Sequence, residues 1–339
     1  MDIRDRAQLH RRAQEALAVR QDQMKKILLY YIGIITVLSL AASGLSALLS
    51  NRIADTGGLG AMGLRSALST AQTVLPLVQM VVLMGLQLGY HRSALEVVRG
   101  RVVTRDHLFG GFRRFFPFLR AWILQGLLYF AAGFASLYAG TYLYLMLPVS
   151  AAFRNTVTPM ITAAMDPSGT VTVTEEILAV IAANIAPILW IFAALYLLVV
   201  IPMHYRYRMT IFRILDQPRA RAFAALRESR FLMRGNRIAL LKLDLSFWWY
   251  YLLQVLASLV LYGDLVLPLL GVQLPISATA SYFLFLILSL ALQFVTFYFF
   301  MNRVTVTYAL FYSGLLYQQN QRAQTQPPAQ EQTPEQEQV

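Results

Sequence analysis

The stretch "SRFLMRGNRIALLKLDLSFWW" (229–249) opens with Arg230, Arg234 and Arg237 and closes on an aromatic cluster. Lys242 and Asp244 stand where its apolar run begins. It is either a polar site for chemistry or the boundary where a helix enters a membrane. The boundary reading accounts for nearly every residue. A basic amphipathic helix runs to Met233, Gly235 breaks it, and Asn236 is placed to cap the next helix. Lys242 can reach back to lipid headgroups along its own stem. Ser229, Arg234, Arg237, Ser246, Phe247 and Trp248 complete the candidate interface. Asp244, about half a turn past Lys242, is the residue this explains least. An acid near apolar depth needs a partner, so an arginine is expected within about 4 Å of it.

Composition points the same way. Of 339 residues, 57% are hydrophobic and 14% charged, with a mean hydropathy of +0.53. Soluble domains carry about a quarter charged residues, so the chain is read as an integral membrane protein. With no cysteine, disulfides, thiolate metal sites and a cysteine nucleophile are excluded. The net charge of +12 suits either nucleic acid or anionic lipid, and the placement of the cations decides between them.

A membrane-spanning helix needs about 20 apolar residues. Six stretches qualify: 27–50, 71–90, 121–147, 177–203, 243–262 and 279–301. Apolar character continues past Arg303 to about Tyr317, so the last has no clear stop. Seven basic residues fall in 1–26, seven between Arg92 and Arg120, and ten in 204–242. The other three loops hold only Arg52, Arg65 and Arg154. The positive-inside rule then puts both termini and the two arginine-rich loops in the cytoplasm, which an even number of spans allows. The expected fold is an all-α polytopic membrane helix bundle with three divisions: a cytoplasmic amphipathic segment (1–26), a six-span domain (27–317) and a disordered tail (318–339). The tail has little to bury. The first span is expected to act as an uncleaved anchor. The arginines are read as topology determinants and headgroup contacts. No nucleic-acid partner is expected, because no binding fold accompanies the charge.

The chain also resembles itself. "RAQEALAVRQDQMKK" (12–26) and "RAFAALRESRFLMRG" (221–235) share R-A-x-x-A-L, six residues, then M-[KR]. "RMTIFRIL" (208–215) and "RVTVTYAL" (303–310) share R-x-T-[IV]-x-x-x-L. A weaker copy, "RDHLFGGFRRFFPFLR" (105–120), precedes the third span. The repeating unit is an amphipathic helix, an outward span and a return span, so three hairpins make the chain. Ala222, Ala225, Leu226 and Met233 form an apolar stripe flanked by Arg227, Arg230 and Arg234. Such a stripe faces either lipid or the end of the bundle.

Chemical motifs are sparse. "GLGAMG" (58–63) fits a dinucleotide fingerprint in spelling but lies in a short loop between spans, without a preceding strand. His10, His91, His107 and His204 form no metal-binding spacing, and no cofactor is expected. No ionisable group falls at mid-span. The polar residues there are Gln79, Gln87, Gln125, Asn184, Gln254 and Gln293, which commonly bond between helices. Gly126, Gly133 and Gly140, with Ala132 and Ser136, make a small-residue seam on the third span.

The opening stretch is also similar to the signature of an uncharacterised bacterial integral-membrane family, catalogued as domain of unknown function 975. Ser229, Leu232, Met233, Arg234, Gly235, Asn236 and Arg237 fit its S-x-x-L-M-[KR]-G-N-[KR] run, and Leu243, Leu245, Ser246, Phe247 and Trp248 fit the L-x-L-S-F-aromatic run. "LYGDLVLPLLGVQLP" departs from the family's glycine-rich link and Pro-Tyr pair. The resemblance implies a multi-span bacterial inner-membrane protein and no established activity. The function expected is a non-enzymatic one: binding or organising anionic lipid, or a membrane-protein partner, at the cytoplasmic face. The alternatives are a transporter or exporter subunit, and a lipid-modifying enzyme built around Asp106, His107, His204 and Asp216.

Overall fold

The computed structural model describes residues 4–55, 62–165, 175–217, 221–263, 266–267 and 277–325. Most of the "GLGAMG" motif and all of 326–339 lie outside them. Among the described residues every element is a helix and no strand occurs. Two compact units are defined, Met1–Leu119 with Met209–Val339, and Arg120–Arg208.

In the first unit α1 covers Arg6–Asp55 and α2 Met62–Val98. The short α3, Arg105–Phe109, leads through a 3-10 turn, Gly110–Arg114, into α4, Phe115–Met146, which from Arg120 onward belongs to the second unit. After the second unit come α7 (Thr210–Asp216), α8 (Ala222–Leu232), α9 (Arg237–Ser246) and α10 (Trp248–Leu261). The chain closes with α11 (Ala278–Thr296), a π turn (Phe297–Met301) and α12 (Asn302–Thr325). In the second unit α5 spans Ala151–Met165 and α6 Glu175–Tyr207. The amphipathic segment before residue 27 and the first span are one helix, interrupted only at Arg20, whose backbone is non-helical.

Five helices are long and apolar enough to cross a membrane, or six if α9 and α10 form one bent span. In the most apolar window of each of the five, at most 17% of residues are buried inside the protein. Apolar surface left bare on this scale is suited to lipid rather than to water. In the second unit α4 and α6 approach closely. A Cβ on Gly140 would lie 3.2 Å from the Phe192 backbone, and one on Gly133 would lie 3.5 Å from the Tyr196 ring. Gly126 meets nothing within 4 Å, so only the later part of the predicted seam packs. Tyr144 is buried and donates to Asn184. Between α1 and α2, Gln79 donates to Ser39 at 3.4 Å, an amide bonding between helices as expected.

The densest packing lies away from the apolar windows. Leu9, Ala13 and Met24 of α1, Leu95 near the end of α2 and Leu108 of α3 are buried. So are Phe212 of α7, Ala225 of α8, Leu243 of α9, and Val306, Ala309 and Phe311 of α12. Helix α12 touches α1, α2 and α8. This explains why the last apolar run has no stop. Beyond Arg303 the run, from 304 to 312, is buried within the helical core rather than left bare.

Three boundaries differ from expectation. Hydropathy places the fifth span at 243–262, but residues 243–246 belong to α9, and α10 departs from α9 at 64°. At 14 residues α10 is about 21 Å long, short of the hydrocarbon thickness. The tail drawn from Gln318 begins inside α12, which continues to Thr325. The connection after the third span contains α5, which packs on α6.

Candidate functional site

The 229–249 stretch folds as the junction between α8, α9 and α10. Gly235 has φ +77°, a left-handed conformation that glycine adopts without steric cost. It ends α8 beyond the Met233 cap and lets the chain turn into α9. Asn236 sits at the expected cap position, but its side chain does not cap α9. It is buried and its amide donates to the Leu232 carbonyl at 3.3 Å, tying the new helix to the old one. Ser229 and Met233 are fully buried, while Arg234 is exposed with its guanidinium 5.9 Å from the Phe231 ring centroid. Arg237 is half-buried at the start of α9, and Lys242 is exposed, as snorkelling requires.

A tyrosine hydroxyl, that of Tyr308, donates to Asp244 Oδ1, a partner that the expectation of an arginine did not anticipate. With the Tyr308 proton committed there, Tyr251 is the donor in the 2.6 Å contact between the two hydroxyls. Asp244 therefore anchors α9 and α10 to α12. Ser246 donates to the Leu243 carbonyl at 2.6 Å and accepts from His10 Nε2 at 2.9 Å. Phe247, at the bend, is buried between His10 and Tyr308, at centroid distances of 4.9 and 6.2 Å. The α9–α10 break is thus held by α1 and α12 together. Trp248 and Trp249 are exposed, with ring centroids 3.8 Å apart, a placement suited to a membrane–water boundary.

The stripe on α8 takes the second of its two predicted settings. Ala222, Ala225, Leu226, Leu232 and Met233 are buried within the protein. The opposite face carries Phe223 and Phe231, 73% and 55% exposed, beside the exposed Arg227, Arg230 and Arg234. Under this face lies a cavity of about 580 Å³ bordered by Arg213, Arg221, Arg227, Phe223, Phe231 and Gln319, among others. Arg213 is ion-paired with Glu228, whereas no described carboxylate lies within ion-pair distance of Arg221 or Arg227.

The residues named for a lipid-modifying site have other settings. Asp216 is paired with Arg99 and accepts from Tyr312 at 3.1 Å. Asp106 and His107 line a separate cavity, and His204, in the second unit, lies edge-on to Tyr205. No cluster of three or more His, Asp or Glu with metal-binding geometry occurs among the described residues. Two features escaped the sequence. The glycine packing of α2 against the 3-10 turn and the Asp216–Arg99–Tyr312 network both join residues far apart in the chain.

Uncovered apolar helices together with a basic helical core define a multi-pass helical membrane protein. The chain belongs to a family described as "Protein of unknown function (DUF975)", whose model matches residues 1–319. No curated protein and no solved structure matches it.

Proposed function

We propose that this protein is a non-enzymatic lipid-binding membrane protein. Its arginine-rich core lies on the cytoplasmic side of a bacterial inner membrane, and α8 engages anionic phospholipid. The observation that carries this is the outer face of α8. Arg221 and Arg227, with no carboxylate partner among the described residues, border a cavity beside two exposed phenylalanines. A phosphate can accept from guanidinium donors while acyl chains cover the rings. The stripe that would otherwise face lipid is already used for packing, which leaves these residues free for a ligand.

The orientation rests on the basic segments. Ala13 and Ala222, and Met24 and Met233, are all buried, which supports treating 12–26 and 221–235 as equivalent helices on one side. The packing of α1 with α2 and of α10 with α11 supports hairpins. Native mass spectrometry of the detergent-purified full chain tests the function. The protein should retain phosphatidylglycerol over phosphatidylcholine, and Arg221→Gln with Arg227→Gln should reduce that retention about tenfold, the loss of roughly one charged hydrogen bond. Equal retention of both lipids, or retention unchanged in the variant, contradicts the proposal.

A further inference from the structure

A second cavity, of about 440 Å³, lies between α2 and the α3 turn, lined by Arg92, Asp106, His107, Phe109, Gly110 and Arg113. It is built on backbone contact. A Cβ on Gly89 would lie 1.7 Å from the Leu108 carbonyl oxygen, and one on Gly111 would lie 2.2 Å from that of Gly85. The turn therefore rests directly on α2. Arg92, three residues after Gly89, reaches over the turn, and a Cβ on Gly110 would lie 3.0 Å from its Nη1. The missing side chain at Gly110 is what leaves room for the guanidinium.

Three of the four polar side chains that line the cavity, Arg92, Arg113 and His107, carry donors. No described carboxylate lies within ion-pair distance of Arg92 or Arg113. The Thr104 amide donates to His107 Nδ1 at 3.1 Å, and the Thr104 hydroxyl lies 2.9 Å from the same nitrogen. With Nδ1 accepting, the ring carries its proton on Nε2, a further donor on a residue that lines the cavity. Asp106 is the one acidic residue among the described lining residues. Two guanidiniums and an imidazole N–H set against one carboxylate leave, among the described residues, an excess of positive charge and of donors. Planar guanidinium forks match the oxygens of a phosphate.

The geometry points to this cavity as a binding site for a phosphate group, held by Arg92, Arg113 and His107. The site is separate from the face of α8 and does not depend on its role. The phosphate belongs either to a lipid headgroup or to a free ion. The cavity's volume falls within the range of small-ligand pockets, so either can be admitted.

Calorimetric titration of the full chain in detergent tests the assignment, with inorganic phosphate in one arm and phosphatidic acid in mixed micelles in the other. Saturable binding in the first arm identifies a free-ion site, and binding only in the second identifies a headgroup site. In the arm that binds, Arg92→Gln with Arg113→Gln should weaken affinity about tenfold or more. Asp106→Asn should strengthen it, an opposite change that misfolding does not produce. Binding in neither arm, or affinity unmoved by both variants, overturns the site.

Discussion

Gly89 has no room for a methyl group, because the Leu108 carbonyl occupies the position its Cβ would take. Gly126, on α4, faces open space at the same point. Gly89→Ala should therefore lower stability by about 3 kcal/mol or more, since backbone rather than a flexible side chain must move. Gly126→Ala should be neutral or slightly stabilising, because alanine is the better helix former. Thermal unfolding of the two variants in one detergent measures the contrast. Tyr308 offers a second test at this scale. Its hydroxyl donates to Asp244 and receives that of Tyr251, so Tyr308→Phe should cost about 1–3 kcal/mol. Tyr251→Phe should cost less, since Asp244 keeps its donor. The need for a partner at Asp244 was legible from its charge and depth. That Tyr308 is one such partner was not, because its approach depends on the rotation of α12, 64 residues away.

At the scale of elements, the strongest local signals in the sequence correspond to breaks in the structure. Gly235 turns the chain as its residue type implies. Composition alone makes Asn236 a cap, and the structure uses its amide to hold Leu232 instead. The bend at Phe247 carries no glycine or proline. The Ser246 hydroxyl bonds the Leu243 carbonyl just before it, and the Phe247 ring is held there by contacts with His10 and Tyr308, which the local sequence does not encode. Phe247→Ala should cost about 3–5 kcal/mol, as for other buried phenylalanines, and should loosen α10. Hydrogen exchange should then rise across 243–251 while α2 stays protected. Unchanged exchange there would show that the bend does not depend on this ring. The same reasoning applies to α12. Its unbroken apolar run was visible in the sequence, but hydropathy alone does not distinguish burial in lipid from burial in protein.

For the molecule as a whole, the basic segments have a structural part. They fold into a packed core through α1, α2, α3, α7, α8 and α12, while the apolar windows remain largely uncovered by protein. The positive-inside argument needs six crossings, and the short, bent α10 is where it is most exposed to test. Single cysteines can be placed without background, because the chain has none. With six crossings, Ser277→Cys should react with an impermeant maleimide from outside intact cells, and Gln319→Cys only after lysis. The reverse pattern, Gln319→Cys reacting from outside and Ser277→Cys only after lysis, would leave α10 outside the count of spans. The most direct measurement of the central claim, that α8 meets anionic lipid, is the depth of a spin label on Phe223→Cys in nanodiscs. In phosphatidylglycerol discs the label should collide with dissolved oxygen more than with a water-soluble relaxant, and in phosphatidylcholine discs the order should reverse. The same water exposure in both bilayers would contradict the account.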